Sequence, residues 1–588
     1  TNSEFGGPLS SAINLDPLTP AVITDPDVAN QPPYSTQPVV RDANGDPYGI
    51  STNVAQEMTN PLAYVDTRLG NYGFSHNIVG NVFGEIEPIE GLRIRSTLGA
   101  KLAWWGSESF SGIYYLSAVQ NRSTTEFYRA REQGFNWNIE NTISYSRTIE
   151  GHNFTVLLGQ GAYLNNLSSG TFITFNNIAA TNFEEATFNL KVPREDIIAD
   201  ARDGITHNLS SLFGRITYDY KERYLFTGII RRDGSSKFGA NKKYGIFPSA
   251  SVGWVLTNED FWTPNNILNN LKIRASYGVV GNDNTADFRF VPTIGMGNDR
   301  NYFFGIDNMY IGASPNAPAN PSLAWEETSQ LDIGFDASLF RDWTLSFDWY
   351  QKETSGILRT VTIPGYTGLA DPWYNLADLE AKGFEVELGY RKAIGDFNLA
   401  VNGNISRTTN TVNYLGSDVA FTEDGAGSIQ NLANNAQRTT IGQPYNSFYG
   451  YKILGVFQNQ AEIDNYTGPE GNPIQPNAVP GDFKWADLDG NGSISTDDRT
   501  FLGTAIPTLT YGMTINASYK DFDLMIFGQG SAGNKIFQGL RRLDITNANW
   551  HSKILNRWVG EGSTNERPRA TLSDPNQNYS KASEYFLE

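Results

Sequence analysis

Six tight polar turns recur along this chain, each joining two runs in which apolar and polar residues alternate. They are EPIEG (87–91), RTIEGH (147–152), DYKER (219–223), FRDW (340–343), KAIGD (392–396) and KDFD (520–523). Between the hairpins lie much longer segments rich in Asn, Gly, Pro, Ser and aromatics: 105–134, 164–207, 281–327, 355–380 and 411–509. Connections therefore run short, then long. A two-sheet sandwich has no reason to gather all its long loops at one end. A membrane barrel does, with short periplasmic turns and long extracellular loops.

The runs themselves have period two. In LKIRASYGVV (271–280), Leu271, Ile273, Ala275, Tyr277 and Val279 share one face, and Lys272, Arg274, Ser276 and Gly278 the other. GFEVELGYR alternates Phe384, Val386, Leu388 and Tyr390 with Glu385, Glu387, Gly389 and Arg391. TLSFDWYQ (344–351) and YGMTINASYK (511–520) read the same way. One such strand alone fits any half-wet antiparallel sheet. The turn pattern decides for a wall with lipid on one side and a wet or plugged lumen, holding Arg274, Glu385 and Glu387, on the other. Tyr218, Tyr220, Tyr224 and Phe226 gather near the short turns, where an interfacial girdle lies. The expected fold is all-β: a transmembrane antiparallel up-and-down β-barrel with long extracellular loops. It contributes roughly fourteen strands of about ten to fourteen residues.

Composition agrees. Aromatics make up 13% of the chain and charged residues only 18%, with 57 glycines. A net charge of −19 repels phosphate backbones and excludes nucleic acid as a partner. There is no cysteine, hence no disulfide framework, zinc–thiolate site or thiol nucleophile. No apolar run is long enough for a membrane helix, which leaves a barrel open. Thr1 opens without the basic and apolar regions of a leader, as expected of a processed protein or an internal segment.

Several ordered motifs resemble one family, the SusC/RagA-type TonB-dependent outer-membrane transporters of Bacteroidetes. They are TNPLAYVDTRLGNYGFSHNIVGNVFGEIEPIEGLRIRSTLG (59–99), RRDGSSKFGANKKYGIFPSASVGWVLTNEDF (231–261), LKIRASYGVVGND (271–283), NPSLAWEETSQLDIGFDASLF (320–340), GQPYNSFYGYKILGVFQNQ (442–460) and GDFKWADLDGNGSISTDDRTFLGTAIPTLTYGMTINASYKDFDLMIFGQGSAGNKIF (481–537). The resemblance implies that residues 1–588 are part of a barrel of about 22 strands. The family's N-terminal domain, TonB box, plug and last strands are not recognisable in the chain. It also implies import of glycan or peptide nutrients, driven by TonB through the N-terminal region and capped by a SusD-like surface lipoprotein. The alternative is a SusC-like structural subunit of an outer-membrane assembly or secretion complex, since fold does not fix function.

Within the long segment 411–509, WADLDGNGSISTDDRT reads as a twelve-residue calcium loop over 487–498. Asp487, Asp489 and Asn491 stand at positions one, three and five, and Gly492 at the sharp turn of position six. Ser493 offers its carbonyl at position seven and Ser495 stands at nine. Asp498 is at twelve, where the longer Glu is usual. Oxygen donors at alternate positions let a short loop curl around a hard cation. With no flanking helices to move, the calcium would be structural, a staple for the outer loop. Trp104, Trp105, Trp373, Tyr374 and Tyr445 lie in or beside the outer segments, and their flat faces suit sugar rings and peptide side chains.

Other motifs carry less. GQGSAG (528–533) has nucleotide-fingerprint spacing, but a dinucleotide site needs a parallel βαβ unit, and this strand pairs antiparallel across KDFD. His76, His152, His207 and His551 have no metal-ligand spacing. Carboxylate pairs such as Glu184 and Glu185 read as solvated loop groups. An enzyme is not expected.

Overall fold

The computed structural model describes residues 7–588 except 55–57, 298–299, 306–308, 362, 417–418, 424–431, 433, 544 and 546; the corresponding parts of the segments 281–327, 355–380 and 411–509 lie outside the described residues. Fourteen strands follow one another as a single antiparallel meander. They are β1 (Tyr72–Ile89), β2 (Leu92–Ser111), β3 (Glu126–Ile149), β4 (His152–Asn176), β5 (His207–Tyr220), β6 (Tyr224–Ser235) and β7 (Tyr244–Val255), then β8 (Leu268–Asn282), β9 (Glu326–Leu339), β10 (Trp343–Thr360), β11 (Trp373–Ile394), β12 (Phe397–Tyr414), β13 (Leu509–Tyr519) and β14 (Phe522–Ala532). A short strand, Ile197–Asp203, pairs off this path along β4.

All six turns read from the sequence are hairpin turns. Their residues adopt the left-handed backbone that matches the twist of the flanking strands. Glycine supplies it at Gly91 (φ 82°), Gly151 (87°) and Gly395 (61°), whereas Lys221 (52°), Phe340 (51°) and Lys520 (51°) adopt it without a glycine. A seventh connection at the same end, 256–267, is longer and gave no turn signature. It is tied to the β5–β6 turn by Arg223, which donates to Asp260 (3.0 Å), and by Asn258 Nδ2, which donates to the Glu222 carbonyl (3.0 Å).

The strands are longer than their alternation suggested, from 11 residues in β13 to 25 in β4. The extra length rises at the loop end. Segment 105–134, expected to be loop, is strand to Ser111 and again from Glu126. The cause is that alternation records lipid on one face. Above the bilayer both faces are wet, and the period-two signal fades although the hydrogen-bond ladder continues.

Register separates the two faces. Ile94, Leu98 and Leu102 of β2 lie opposite Ile86, Val82 and Ile78 of β1 and opposite Ile143, Ile139 and Phe135 of β3. On the other face Arg95 stands between Glu85 and Thr142, and Lys101 beside Asn136. Ile78, Val82, Ile86, Leu98, Leu158, Ile216, Ile230 and Val252 all remain exposed on the apolar face. So broad an apolar surface is stable only against lipid. The polar face holds an ion network, in which Arg274 of β8 donates to Asp336 of β9 (3.1 Å) and Asp348 of β10 (2.7 Å). The packed cores lie at the loop end instead, as in the cluster of Phe238, Phe247, Leu323 and Trp325.

Candidate functional site

The long connections at the loop end form a folded layer. Residues between β12 and β13 pack against residues that follow β14, a partnership with no signal in the local sequence. Tyr451, Val456, Phe483 and Trp485 make one core, joined by Ile453, Ile494, Trp558 and Tyr585. Buried polar groups cross between the two segments. The Phe483 amide donates to Asn578 Oδ1 (2.8 Å), Trp485 Nε1 to the Asn576 carbonyl (3.2 Å), and Gln475 Nε2 to Asn576 Oδ1 (2.8 Å). Asp482, fully buried, takes Arg569 Nε at 2.7 Å and Asn578 Nδ2 at 3.0 Å. Every one of these groups would carry a desolvation cost if its partner left. The layer continues into the segment before β1. Buried Asn14 donates to the Leu540 carbonyl (3.1 Å) and accepts from the Arg542 amide (2.7 Å), while Val54 and Met58 pack on Ile545 and Ala548.

The calcium-type loop is part of this layer. Carboxylate oxygens of Asp487, Asp489 and Asp498 lie within 4.8 Å of one another. Asp487 accepts the amides of Gly490 and Gly492, both at 2.9 Å. Gly492, at φ 86°, makes the sharp turn assigned to it, close against Gly468. Asp489 accepts from the Asn491 amide (3.0 Å), and Asn491 Oδ1 from the Ser493 amide (2.8 Å). Ser495 caps the short turn Thr496–Asp498, and buried Asp498 accepts from Leu488 (2.7 Å) and Ser495 (2.7 Å). The loop is pinned to the layer by Tyr466, whose hydroxyl accepts from the Asp487 amide (3.3 Å) and donates to the Trp485 carbonyl (2.7 Å).

The donor set suits a hard divalent cation. It consists of oxygens only, the carboxylate oxygens of Asp487 and Asp489 and Asp498 Oδ2 each keep a lone pair beyond the one N–H they accept, and three like charges sit together. Among the described residues no Lys or Arg forms an ion pair with any of the three. The nearby Lys581 ammonium is instead stacked 5.1 Å from the Tyr451 ring centre and 5.5 Å from that of Trp485. Burial pushes its pKa down, against the pull of Asp574 and Asp498.

The five aromatics are not gathered. Trp104 and Trp105 are on β2, not in a loop, and neighbouring strand residues point to opposite faces. Trp104 shares the face of Leu98 and Leu102, and Trp105 that of Lys101. Trp373 and Tyr374 open β11 and split in the same way. Trp373 is half-buried against the Phe238–Trp325 cluster under Arg289 (4.3 Å), whereas Tyr374 is exposed. Tyr445 is an exposed loop residue whose amide donates to Asn410 Oδ1 (2.7 Å).

A meander wall with an apolar outer face, tight turns at one end and a folded layer at the other defines an outer-membrane β-barrel. The chain belongs to the TonB-dependent receptor-like β-barrel family, whose model matches residues 19–526. It is 31% identical over 563 residues to TonB-dependent receptor P26 of Formosa agariphila, covering 92% of this chain and 54% of that protein. It is 26% identical to TonB-dependent receptor SusC of Bacteroides thetaiotaomicron, covering 91% of this chain and 51% of SusC. The chain thus spans about half the length of the curated relatives it matches. Among solved structures it is similar to the RagAB peptide transporter, with a TM-score of 0.73 and 20% identity over 93% of this chain and 57% of that one. A closed state of that importer gives a TM-score of 0.74. At that identity the likeness is one of fold.

Proposed function

We propose that this chain forms the wall and outer layer of a SusC-like importer that takes up glycan or peptide nutrients. A SusD-like surface lipoprotein caps the loop end, and TonB acts through the protein's N-terminal region. The observation that carries this reading is the folded layer above the wall. Two segments remote in sequence share one core, and the rim they make is a surface against which a lid can close and exclude water. The similarity to SusC, and the fold shared with an importer of peptides, supports the substrate class. Trp105, on the face of Lys101, and Tyr445, exposed in the outer connection, would be the aromatics that stack on substrate, whereas Trp373 would support them from the packed cluster.

Calcium belongs to the same proposal. Asp487, Asp489, Asn491, Asp498 and the Ser493 carbonyl would hold the ion, with Ser495 at position nine. It would neutralise the clustered carboxylates and lock 487–498 onto the layer. Extracellular calcium is plentiful, so modest affinity suffices.

The test is purification of the full-length protein from native outer membrane in mild detergent, with partners identified by mass spectrometry. A stoichiometric SusD-like lipoprotein is expected. Recovery instead with membrane-insertion or secretion machinery would replace the importer with a structural subunit.

A further inference from the structure

The outer end of the β6–β7 hairpin carries three basic side chains with no acid to match them. Arg232 is on β6, and Lys242 and Lys243 are in the connection to β7; all three are exposed. On a chain of net charge −19 this is unexpected. Local carboxylates are already engaged. Asp233 is buried and bound by Arg231, and Asp283 takes His207 and the Ser235 hydroxyl. Among the described residues no carboxylate pairs with Arg232, Lys242 or Lys243.

The position of Arg232 is specific. Its register partners are Leu212 on β5 and Ile246 on β7, both exposed on the lipid face. Arg232 therefore points at lipid, not into the lumen. Its guanidinium carbon sits 3.7 Å over the Tyr244 ring, one step further towards the loop end. Tyr224 marks the opposite interface on the same strand. The eight residues from Tyr224 to Arg232 rise about 20 Å for a strand tilted by about 40°, close to the height of an outer-membrane apolar band. Arg232 and Tyr244 thus stand at the outer headgroup level, with Lys242 and Lys243 just above.

We propose that Arg232, Lys242 and Lys243 bind the phosphate of an outer-leaflet glycolipid on the outside of the barrel. Arg232 supplies a planar two-pronged donor, held in place by stacking on Tyr244. The two lysines add point charges, and Leu212 and Ile246, flanking Arg232, with Ile230 one step below, receive the acyl chains. The occupant is a lipid because the site opens sideways, directly above the apolar wall. The inference rests on the membrane location alone and stands whether or not the protein imports nutrients.

The full-length protein, extracted in mild detergent, would be assayed for retained phosphorylated glycolipid by native mass spectrometry. Wild type should keep it. Arg232→Glu combined with Lys242→Glu and Lys243→Glu should lower retention about tenfold or more, while heat-modifiable migration reports an intact barrel. Lys221→Glu with Lys520→Glu, at the turn end, should retain it fully. Should the triple variant not fold, Lys242→Gln with Lys243→Gln, confined to the exposed connection, serves instead and should lower retention severalfold. Equal retention by the charge variants would overturn the proposal. So would displacement of the bound species by millimolar inorganic phosphate, which would mark a free-anion site. Equal reloading with a dephosphorylated glycolipid would remove the phosphate from the account.

Discussion

Trp485→Ala tests whether the two loop-end segments form one folding unit. Trp485 is fully buried and touches both segments. It packs on Tyr451 and Phe483, its ring nitrogen binds the Asn576 carbonyl at 3.2 Å, and Lys581 stacks over its ring. Removing a fully buried Trp costs about 3–5 kcal/mol. Leaving the Asn576 carbonyl without its donor adds about 1–3 kcal/mol. The sum, about 4–8 kcal/mol, rivals the whole stability of a small domain. The layer should therefore open while the wall, held by its own strand ladders, persists. Limited proteolysis of the detergent-solubilised protein should cut both 451–503 and 558–586 at rates about a hundredfold or more above wild type, with unchanged heat-modifiable migration. Cleavage confined to one segment would refute the idea of a shared core, and wild-type protection would refute the energetic reasoning.

Further expectations concern the loop, its turn and the first segment. Calorimetric titration should show calcium binding, and Asp487→Asn or Asp498→Ala should weaken it about tenfold or more, since each removes a charged donor. Gly492→Ala should destabilise the loop 487–498 by about 1–3 kcal/mol, read as faster proteolysis within it. The cause is that Gly492 has φ 86° and an added Cβ would lie 3.1 Å from the Gly468 Cα. Asp16 is held from the usual 3.8 down to about 2: burial opposes its charge, but hydrogen bonds from Ser51, Thr19 and Asn53 outweigh it. A depressed carboxyl stabilises above its unfolded pKa and loses that contribution as pH falls through the folded one. Protection of 16–53 from acid protease should thus hold at pH 5 and fall between about pH 4 and 2, and Asp16→Ala should remove the transition.

The wall was legible in sequence wherever lipid imposed alternation and wherever a turn needed polar residues. Leu271 to Val279 and the turn at Lys520 are examples. Turn 256–267 escaped because TNEDFWTPNN spreads its polar residues over three turns' worth of chain, with no tight signature. Trp104 and Trp105 were placed beside a loop because β2 rises past the bilayer, where no lipid-facing period remains. The gathering of Asp487, Asp489 and Asp498 was legible because these carboxylates are local and at fixed spacing. Its setting was not: Asp482 with Arg569, and Trp485 with Asn576, are paired across some ninety residues of chain, and no period or spacing encodes that. Arg232, Lys242 and Lys243 were present in a motif that could be read, but only the register of β5, β6 and β7 turns Arg232 towards lipid.

The orientation of the wall underlies every functional statement made for this protein, and labelling on intact cells tests it most directly. The chain contains no cysteine, so single cysteines can be introduced cleanly. Gln460→Cys and Glu561→Cys, exposed in the outer layer, should react with a membrane-impermeant maleimide on intact cells. Asp396→Cys and Asp521→Cys, in the tight turns, should react only after the outer membrane is permeabilised. Labelling of the turn cysteines on intact cells, with the layer cysteines protected, would invert the barrel and contradict the account.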